Sequence, residues 1–161
     1  QADESNRLMV AVLLLLWVSA IASAFIDNIP YTATMVPVVI ELAADPELGL
    51  ALGPLAWALA LGACLGGNGT IIGASANVVA AGLAEEAGYD ISFNRFFKTG
   101  FPIMILTVTL ATAYSVVRYA IEWSNDIIPM AIIAAMMLAS VSLTPMVYGP
   151  APSSPPDFEL E

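Results

Sequence analysis

Residues 66–77 read GGNGTIIGASAN and lie inside an apolar run that carries no charge between residues 55 and 84. Three of the first four residues are glycines, and each glycine costs a helix about 1 kcal/mol relative to alanine. Backbone groups that a broken helix frees in lipid find no water, so a break is tolerated only beside protein or a wet cavity. Residues 55–87 are too many for one straight span of about 20 residues and too few for two spans with a turn. The stretch therefore predicts a transmembrane helix broken near its middle, which is typical of secondary transporters.

The composition is that of a membrane protein. Of the 161 residues, 59% are hydrophobic and 11% are charged, whereas soluble domains average about 45–50% and about 25%. We predict an all-α, multi-pass integral membrane protein of a plasma (inner) or organelle membrane. Four basic residues and a net charge of −10 argue against nucleic-acid binding. One cysteine and no histidine exclude a disulfide within the chain and a His- or multi-Cys metal site, and no pattern of catalytic residues predicts an enzyme.

Residues 8–43 predict a re-entrant helical hairpin. Two apolar runs are separated by the sequence DNIP at residues 27–30. Pro30 suits the first turn of a helix, and Asn28 is a favourable N-cap type. The second run has some 15 residues, so at about 22 Å it cannot cross a hydrocarbon core of about 30 Å. A signal peptide is the alternative for the first run, but the acidic residues within the N-terminal flank, residues 1–7, do not suit the positively charged start of a signal peptide.

The remaining segments follow from their composition. An acidic loop without a basic residue precedes the broken helix, and an aromatic stretch with Arg95 and Lys98 follows it as a predicted interfacial amphipathic helix. By the positive-inside rule the aromatic stretch is cytoplasmic and the acidic loop lies outside. One ordinary span, one weaker span and a Pro- and Ser-rich acidic tail, predicted to be disordered, come last. The predicted segments are 1–7 (flank), 8–43 (hairpin), 44–54 (acidic loop), 55–87 (broken helix), 88–99 (interfacial), 100–123 (span), 127–148 (weaker span) and 149–161 (tail).

Chemistry at membrane depth is predicted where two helix starts converge, near residues 28–30 and near residue 70. Helix N-termini carry free N–H groups and about half a positive charge. No Lys or Arg lies in these apolar runs, so an anion has only helix ends, hydroxyls, amides or a co-bound cation to hold it. A Na⁺ site near Asn28 and Asn68 is one hypothesis for coupling, and H⁺ is the other. The candidate substrate- and ion-binding residues are Asp27, Asn28, Thr32, Thr34, Asn68, Gly69, Thr70, Ser75 and Asn77.

The candidates also have structural interpretations. Asp27 is the one carboxylate predicted at depth, and it is either a proton or cation ligand or a cap on the following helix. Asn68, Thr70 and Asn77 either bind a ligand or bond the backbone that the break frees. The glycines of the break, Gly69 among them, favour backbone and packing roles.

Two strings resemble a known family: IDNIPYTATM at residues 26–35 and GACLGGNGTIIGASANVV at residues 62–79. They are similar to the family of the melanocyte P protein and its bacterial relatives. That family belongs to the ion transporter superfamily, with arsenite efflux pumps, citrate transporters and divalent anion:sodium symporters. The resemblance implies an inverted-repeat transporter with this chain as its C-terminal repeat. In the sodium-coupled relatives a Ser-Asn-Thr hairpin tip and an unwound loop bind sodium and the substrate carboxylate, and only Asn28 matches that triplet here.

The leading hypothesis is the C-terminal half of a secondary ion transporter that moves a small inorganic or organic anion with H⁺ or Na⁺ coupling. The alternative is a truncated membrane fragment that has an assembly role or no activity alone. The chain begins with Gln1 rather than Met, and we expect a piece of a longer polypeptide or a processed form. The expected partners are the lipid bilayer, the missing N-terminal repeat, the small anion and a second copy in a homodimer. Beyond a coupling ion, no cofactor is expected.

Overall fold

A computed structural model describes residues 2–120 of the chain. Within these residues it contains five α-helices and no strand, which confirms the predicted all-α class. The predicted weaker span, residues 127–148, and the acidic tail, residues 149–161, lie outside the described residues, as does the end of the predicted span 100–123. The helices are α1 (Ala2–Phe25), α2 (Asn28–Ala44), α3 (Leu52–Gly66), α4 (Ser75–Glu86) and α5 (Phe93–Ala120).

Two of the described helices are long and apolar enough to cross a membrane. They are Asn6–Phe25, within α1, and Phe93–Tyr119, within α5. The others have 17, 15 and 12 residues, fewer than the roughly 20 that a complete span needs. Because α3 and α4 are separated by residues 67–74, the long apolar run forms two short helices rather than one continuous span.

Close packing of α1 against α3 forms the centre of the fold. A Cβ atom added to Gly62 would overlap the carbonyl oxygen of Leu16, and one added to Gly66 would overlap that of Ala20. The two backbones therefore touch with no side chain between them, as small residues allow in membrane helix pairs. The Ser23 hydroxyl also donates a hydrogen bond of 2.7 Å to the carbonyl oxygen of Ala63. A step of four residues along α3, from Gly62 to Gly66, moves the contact four residues forward along α1, from Leu16 to Ala20. The two helices therefore run parallel.

The other helices pack around this pair. α5 buries one face, formed by Met104, Val108, Ala111 and Ser115, against α1 and α3. The Trp17 indole N–H donates to the hydroxyl of Thr112 at 2.9 Å. The arms of the predicted hairpin, α1 and α2, stay in contact, although α2 packs mainly on α3, and α4 packs against no other described helix.

The structure joins the predicted interfacial segment to the span that follows it. α5 runs without interruption from Phe93 to Ala120, so residues 93–99 are its first two turns rather than a separate helix. The rings of Phe93, Phe97 and Phe101 stack along one face, with centroids 6.0 and 4.7 Å apart. Side chains four residues apart stabilise a helix when they contact each other. The stack of three rings extends across the boundary that was predicted between residues 99 and 100.

Candidate functional site

Two interruptions of the helices lie against each other. The first separates α1 from α2 at residues 26–27, and the second separates α3 from α4 at residues 67–74. The Asn28 backbone N–H donates to the carbonyl oxygen of Gly73 at 3.2 Å. The hydroxyl of the fully buried Thr70 donates to the carbonyl oxygen of Ala24. We call residues 24–28 and 67–77 together the joint.

Asp27 lies where two helices begin. Its Oδ1 accepts a hydrogen bond of 3.0 Å from the backbone N–H of Ile29, which makes Asp27 the N-cap of α2. Its Oδ2 accepts a hydrogen bond from the hydroxyl of Ser75, the first residue of α4. The carboxylate thus connects residues 48 positions apart in the sequence and places its negative charge between two positive helix ends.

Asn77 closes the backbone of the second interruption. Its Nδ2 donates to the carbonyl oxygen of Gly67 at 2.8 Å and to that of Thr70 at 3.1 Å. The end of α3 leaves carbonyl groups without helical partners, and a side-chain amide supplies the missing donors. This geometry fits the interpretation in which Asn77 bonds the freed backbone.

The glycine-rich loop is pressed between α1 and α5. A Cβ atom added to Gly69 would lie 3.0 Å from the Cβ of Ala24 and 3.2 Å from the Cε of Met104. One added to Gly100, on α5, would lie 2.6 Å from the carbonyl oxygen of Asn68. The buried Gly69 is therefore tightly enclosed, and a larger residue there would require its neighbours to shift, whereas the side chain of Asn68 is exposed.

The contacts with α5 also indicate how deep the joint lies. Gly100 and Met104 touch the loop, so the helix from Phe93 to Gly100 extends about 10 Å beyond it at 1.5 Å per residue. The segment Phe93–Tyr119 is apolar enough to span a membrane. A bilayer that covered the whole segment would enclose the joint, but the turns before Gly100 carry Arg95 and Lys98, so the joint lies level with the start of the apolar part of α5.

Two sequence candidates lie apart from the joint's hydrogen bonds. The Thr34 hydroxyl donates to the carbonyl oxygen of Pro30 in its own helix at 2.9 Å and is exposed. Thr32 lines an apolar cavity of about 270 Å³ between α2 and α3. Five of the candidates take part in the hydrogen bonds of the joint described above, and two more, Asn68 and Gly69, lie in its glycine-rich loop. Those seven are Asp27, Asn28, Asn68, Gly69, Thr70, Ser75 and Asn77.

Two supporting contacts between helices were missed by the sequence reasoning. Ser23 is fully buried and ties α1 to α3, and Tyr31 donates from its hydroxyl to Ser19 at 3.2 Å, which ties α2 to α1. The serines are four residues apart in an apolar run, a spacing that places both on one face of a helix. That spacing was the available signal for a polar contact between helices.

A sodium ion at the joint would need oxygen ligands that are not already paired. The carbonyl oxygens of Gly67, Thr70 and Gly73 accept hydrogen bonds within the joint. The Asp27 carboxylate keeps further acceptor capacity, since an ionised carboxylate has about four lone-pair sites. The described residues hold no group of three or more His, Cys, Asp or Glu side chains suited to a metal ion. Asp27 is therefore one group at the joint that could accept a cation, and the hypothesis of a Na⁺ site near Asn28 and Asn68 stays a prediction.

Comparison with known proteins places these features in a family context. Residues 2–62 match the citrate transporter family. The chain is 57% identical over 122 residues to the P protein of Homo sapiens, which covers 76% of this chain and 15% of that protein. It is 46% identical over 113 residues to a 46 kDa membrane protein of Mycobacterium leprae, covering 70% and 26% respectively. An uncharacterized transporter of Mycobacterium tuberculosis is 46% identical over 114 residues, covering 71% and 27%. No solved structure matches, and the chain spans only a minor part of each of these relatives.

Proposed function

This chain belongs to the ion transporter superfamily, and we propose that it forms the C-terminal half of a carrier that moves a small inorganic or organic anion with H⁺ or Na⁺ coupling. The family likeness and the apolar helices support a membrane protein, and the transporter names of the relatives support a part of a secondary transporter. The anion, the coupling ion, the multi-pass topology and the plasma or organelle membrane are parts of the proposal. Transport rather than enzymatic catalysis is the proposed activity.

The observation that carries the proposal is the joint. The turn between α1 and α2 and the break between α3 and α4 lie at the same place in an apolar bundle, and they bond to each other. Irregular backbone at membrane depth is found where it is buried in protein or lines a cavity. In secondary transporters, such interruptions hold the substrate and the coupling ion.

The charges of the chain suggest how the joint would hold ions. No Lys or Arg occurs between Arg7 and Arg95, so the parts of α1 to α4 near the joint offer no basic side chain that could neutralise an anion. The starts of α2 and α4 supply positive ends, and the exposed Asn68 side chain supplies an amide. We assign the coupling H⁺ or Na⁺ to Asp27, and the missing N-terminal repeat would complete the site from the other side.

Transport assays on the full-length protein in liposomes test this function. Citrate, phosphate and chloride would be offered one at a time, first with a proton gradient and then with a sodium gradient. We expect uptake of at least one of these anions that depends on one of the two gradients. Absence of gradient-driven flux for all three anions would contradict the proposal.

A parallel assay on residues 1–161 alone addresses the alternative function. The chain covers 15% of the human P protein, which favours a segment that cannot transport without the rest of the protein. If the full-length protein transports an anion and this segment does not, the chain is a part of the carrier rather than a complete one. Equal flux through the segment alone would contradict the half-site assignment.

A further inference from the structure

The joint already contains an anion, the carboxylate of Asp27. Its two oxygens accept hydrogen bonds from Ile29, in the first turn of α2, and from Ser75, at the start of α4. No buried side-chain nitrogen or oxygen atom in residues 6–119 lacks a hydrogen-bond partner. A ligand anion that used the same donors would have to replace these internal bonds.

The charges that α1 to α4 bring to this place nearly cancel. Each helix start contributes about half a positive charge, and the carboxylate contributes one negative charge. Neither interrupted helix carries a basic side chain after Arg7. A second anion beside an ionised Asp27 would therefore meet repulsion that no cation of these segments offsets.

We propose that Asp27 is a tethered competitor of the transported anion at the starts of α2 and α4. The anion binds there only after the carboxylate has moved away or after a coupling cation has matched its charge. This inference rests on the proposed transport function and adds a regulatory contact to it. If Asp27 competes with the anion, removal of the carboxylate should improve anion binding. If Asp27 helped to hold the anion, the same removal should weaken it.

Two substitutions remove the charge while keeping a helix cap. Asn and Ser are both favourable N-cap residues, so Asp27→Asn and Asp27→Ser preserve the start of α2. The matched control is Asp45→Asn. Asp45 is exposed and accepts a hydrogen bond of 2.8 Å from the backbone N–H of Glu47, so this substitution removes the same charge from a similar local contact away from the joint.

Isothermal titration of the purified full-length protein with the potassium salts of citrate, phosphate and chloride measures the competition. For an anion that the wild-type protein transports, we expect both Asp27 variants to bind at least about tenfold more tightly without added sodium. The Asp45→Asn variant should bind like the wild type. The second Asp27 variant keeps the test decisive if the first one fails to fold.

The outcomes separate this inference from the transport function. If the wild type transports an anion but both Asp27 variants bind that anion no more tightly, the competitor role is excluded and the function stands. If Asp45→Asn gives the same gain, the effect comes from overall charge, and the competitor role is again excluded. If the wild type transports none of the three anions, the proposed function fails, and the inference fails with it.

Discussion

At the scale of single residues, Asp27 combines an observed structural role with a proposed ionic role. It caps α2, holds the start of α4 and is the carboxylate assigned to the coupling ion. The two interpretations of Asp27 from the sequence therefore do not exclude each other. What separates them is the titratable charge, because an amide can replace the cap but not the charge.

We predict that Asp27→Asn uncouples transport. The variant keeps a favourable N-cap residue, so expression and thermal stability should change little. Loss of the carboxylate should remove the dependence of anion flux on the proton or sodium gradient, as measured in liposomes with each gradient set to zero. A variant that remains fully coupled would leave Asp27 with the capping role alone.

Asn77→Asp should destabilise the joint. The amide donates to two carbonyl oxygens, and an ionised carboxylate has no donor and would face both acceptors. We expect the variant to lose about 1–3 kcal/mol of stability, seen as a lower thermal unfolding midpoint of the full-length protein in detergent. Asn94→Asp is the control, because Asn94 is exposed in the first turn of α5, where a negative charge is favourable. Equal midpoints for the two variants would contradict the assigned role of Asn77.

At the scale of the helices, the α1–α3 pair sets the position of both interruptions. The backbones touch at Gly62 and Gly66, and this contact aligns the end of α1 with the loop after α3. The contact of Thr70 with Ala24 follows directly from that alignment. Any residue that pushes the two helices apart should therefore disturb the joint as well.

Two glycine-to-alanine substitutions test this packing. In Gly66→Ala the new methyl group would overlap the Ala20 backbone, and we expect a loss of roughly 1–3 kcal/mol or more from overpacking. Gly82→Ala, within α4, has open space around it and should be neutral or gain up to about 1 kcal/mol in helix propensity. Thermal unfolding of both variants gives the comparison. If Gly66→Ala is as stable as Gly82→Ala, the close approach of α1 and α3 is wrong.

At the scale of the whole molecule, the helix directions place the two loops at opposite ends. α1 and α3 run parallel, so residues 45–51 lie near the start of α1. α5 runs the other way, because Met104 contacts the loop after α3, whereas Thr112 contacts Trp17 nearer the start of α1. Residues 87–92, which precede α5, therefore lie at the other end of the bundle.

Cysteine labelling tests this arrangement in the membrane. Cys64 is exposed, so single cysteines at Glu47 and Asp90 would be introduced into a Cys64→Ala background. We expect a membrane-impermeant maleimide to label Glu47→Cys from outside and Asp90→Cys only from inside, in accordance with the positive-inside rule. Labelling of both positions from one side would show that the interrupted α3–α4 segment turns back instead of crossing.

The sequence by itself was sufficient for the class of the protein and for the places where its helices stop. Glycines break helices, and an Asp-Asn-Ile-Pro stretch starts one, through interactions within a few residues. These local rules located the break after Gly66 and the start of α2, and the apolar composition located them in a membrane protein. The second helix start was predicted near residue 70 and lies at Ser75. The continuous α5 was not predicted, because the composition of the aromatic stretch is compatible both with a separate interfacial helix and with the first turns of a span.

Only the tertiary structure decided which groups meet at the joint. The pairing of Asp27 with Ser75 and of Thr70 with Ala24 joins residues more than forty positions apart. No local rule predicts these pairs, because they depend on the register of α1 against α3, which many small contacts determine together. The same register leaves Thr32 and Thr34 outside the joint's hydrogen bonds and encloses Gly69. The sequence therefore determined the inventory of polar groups near the breaks, and packing determined which of them face one another.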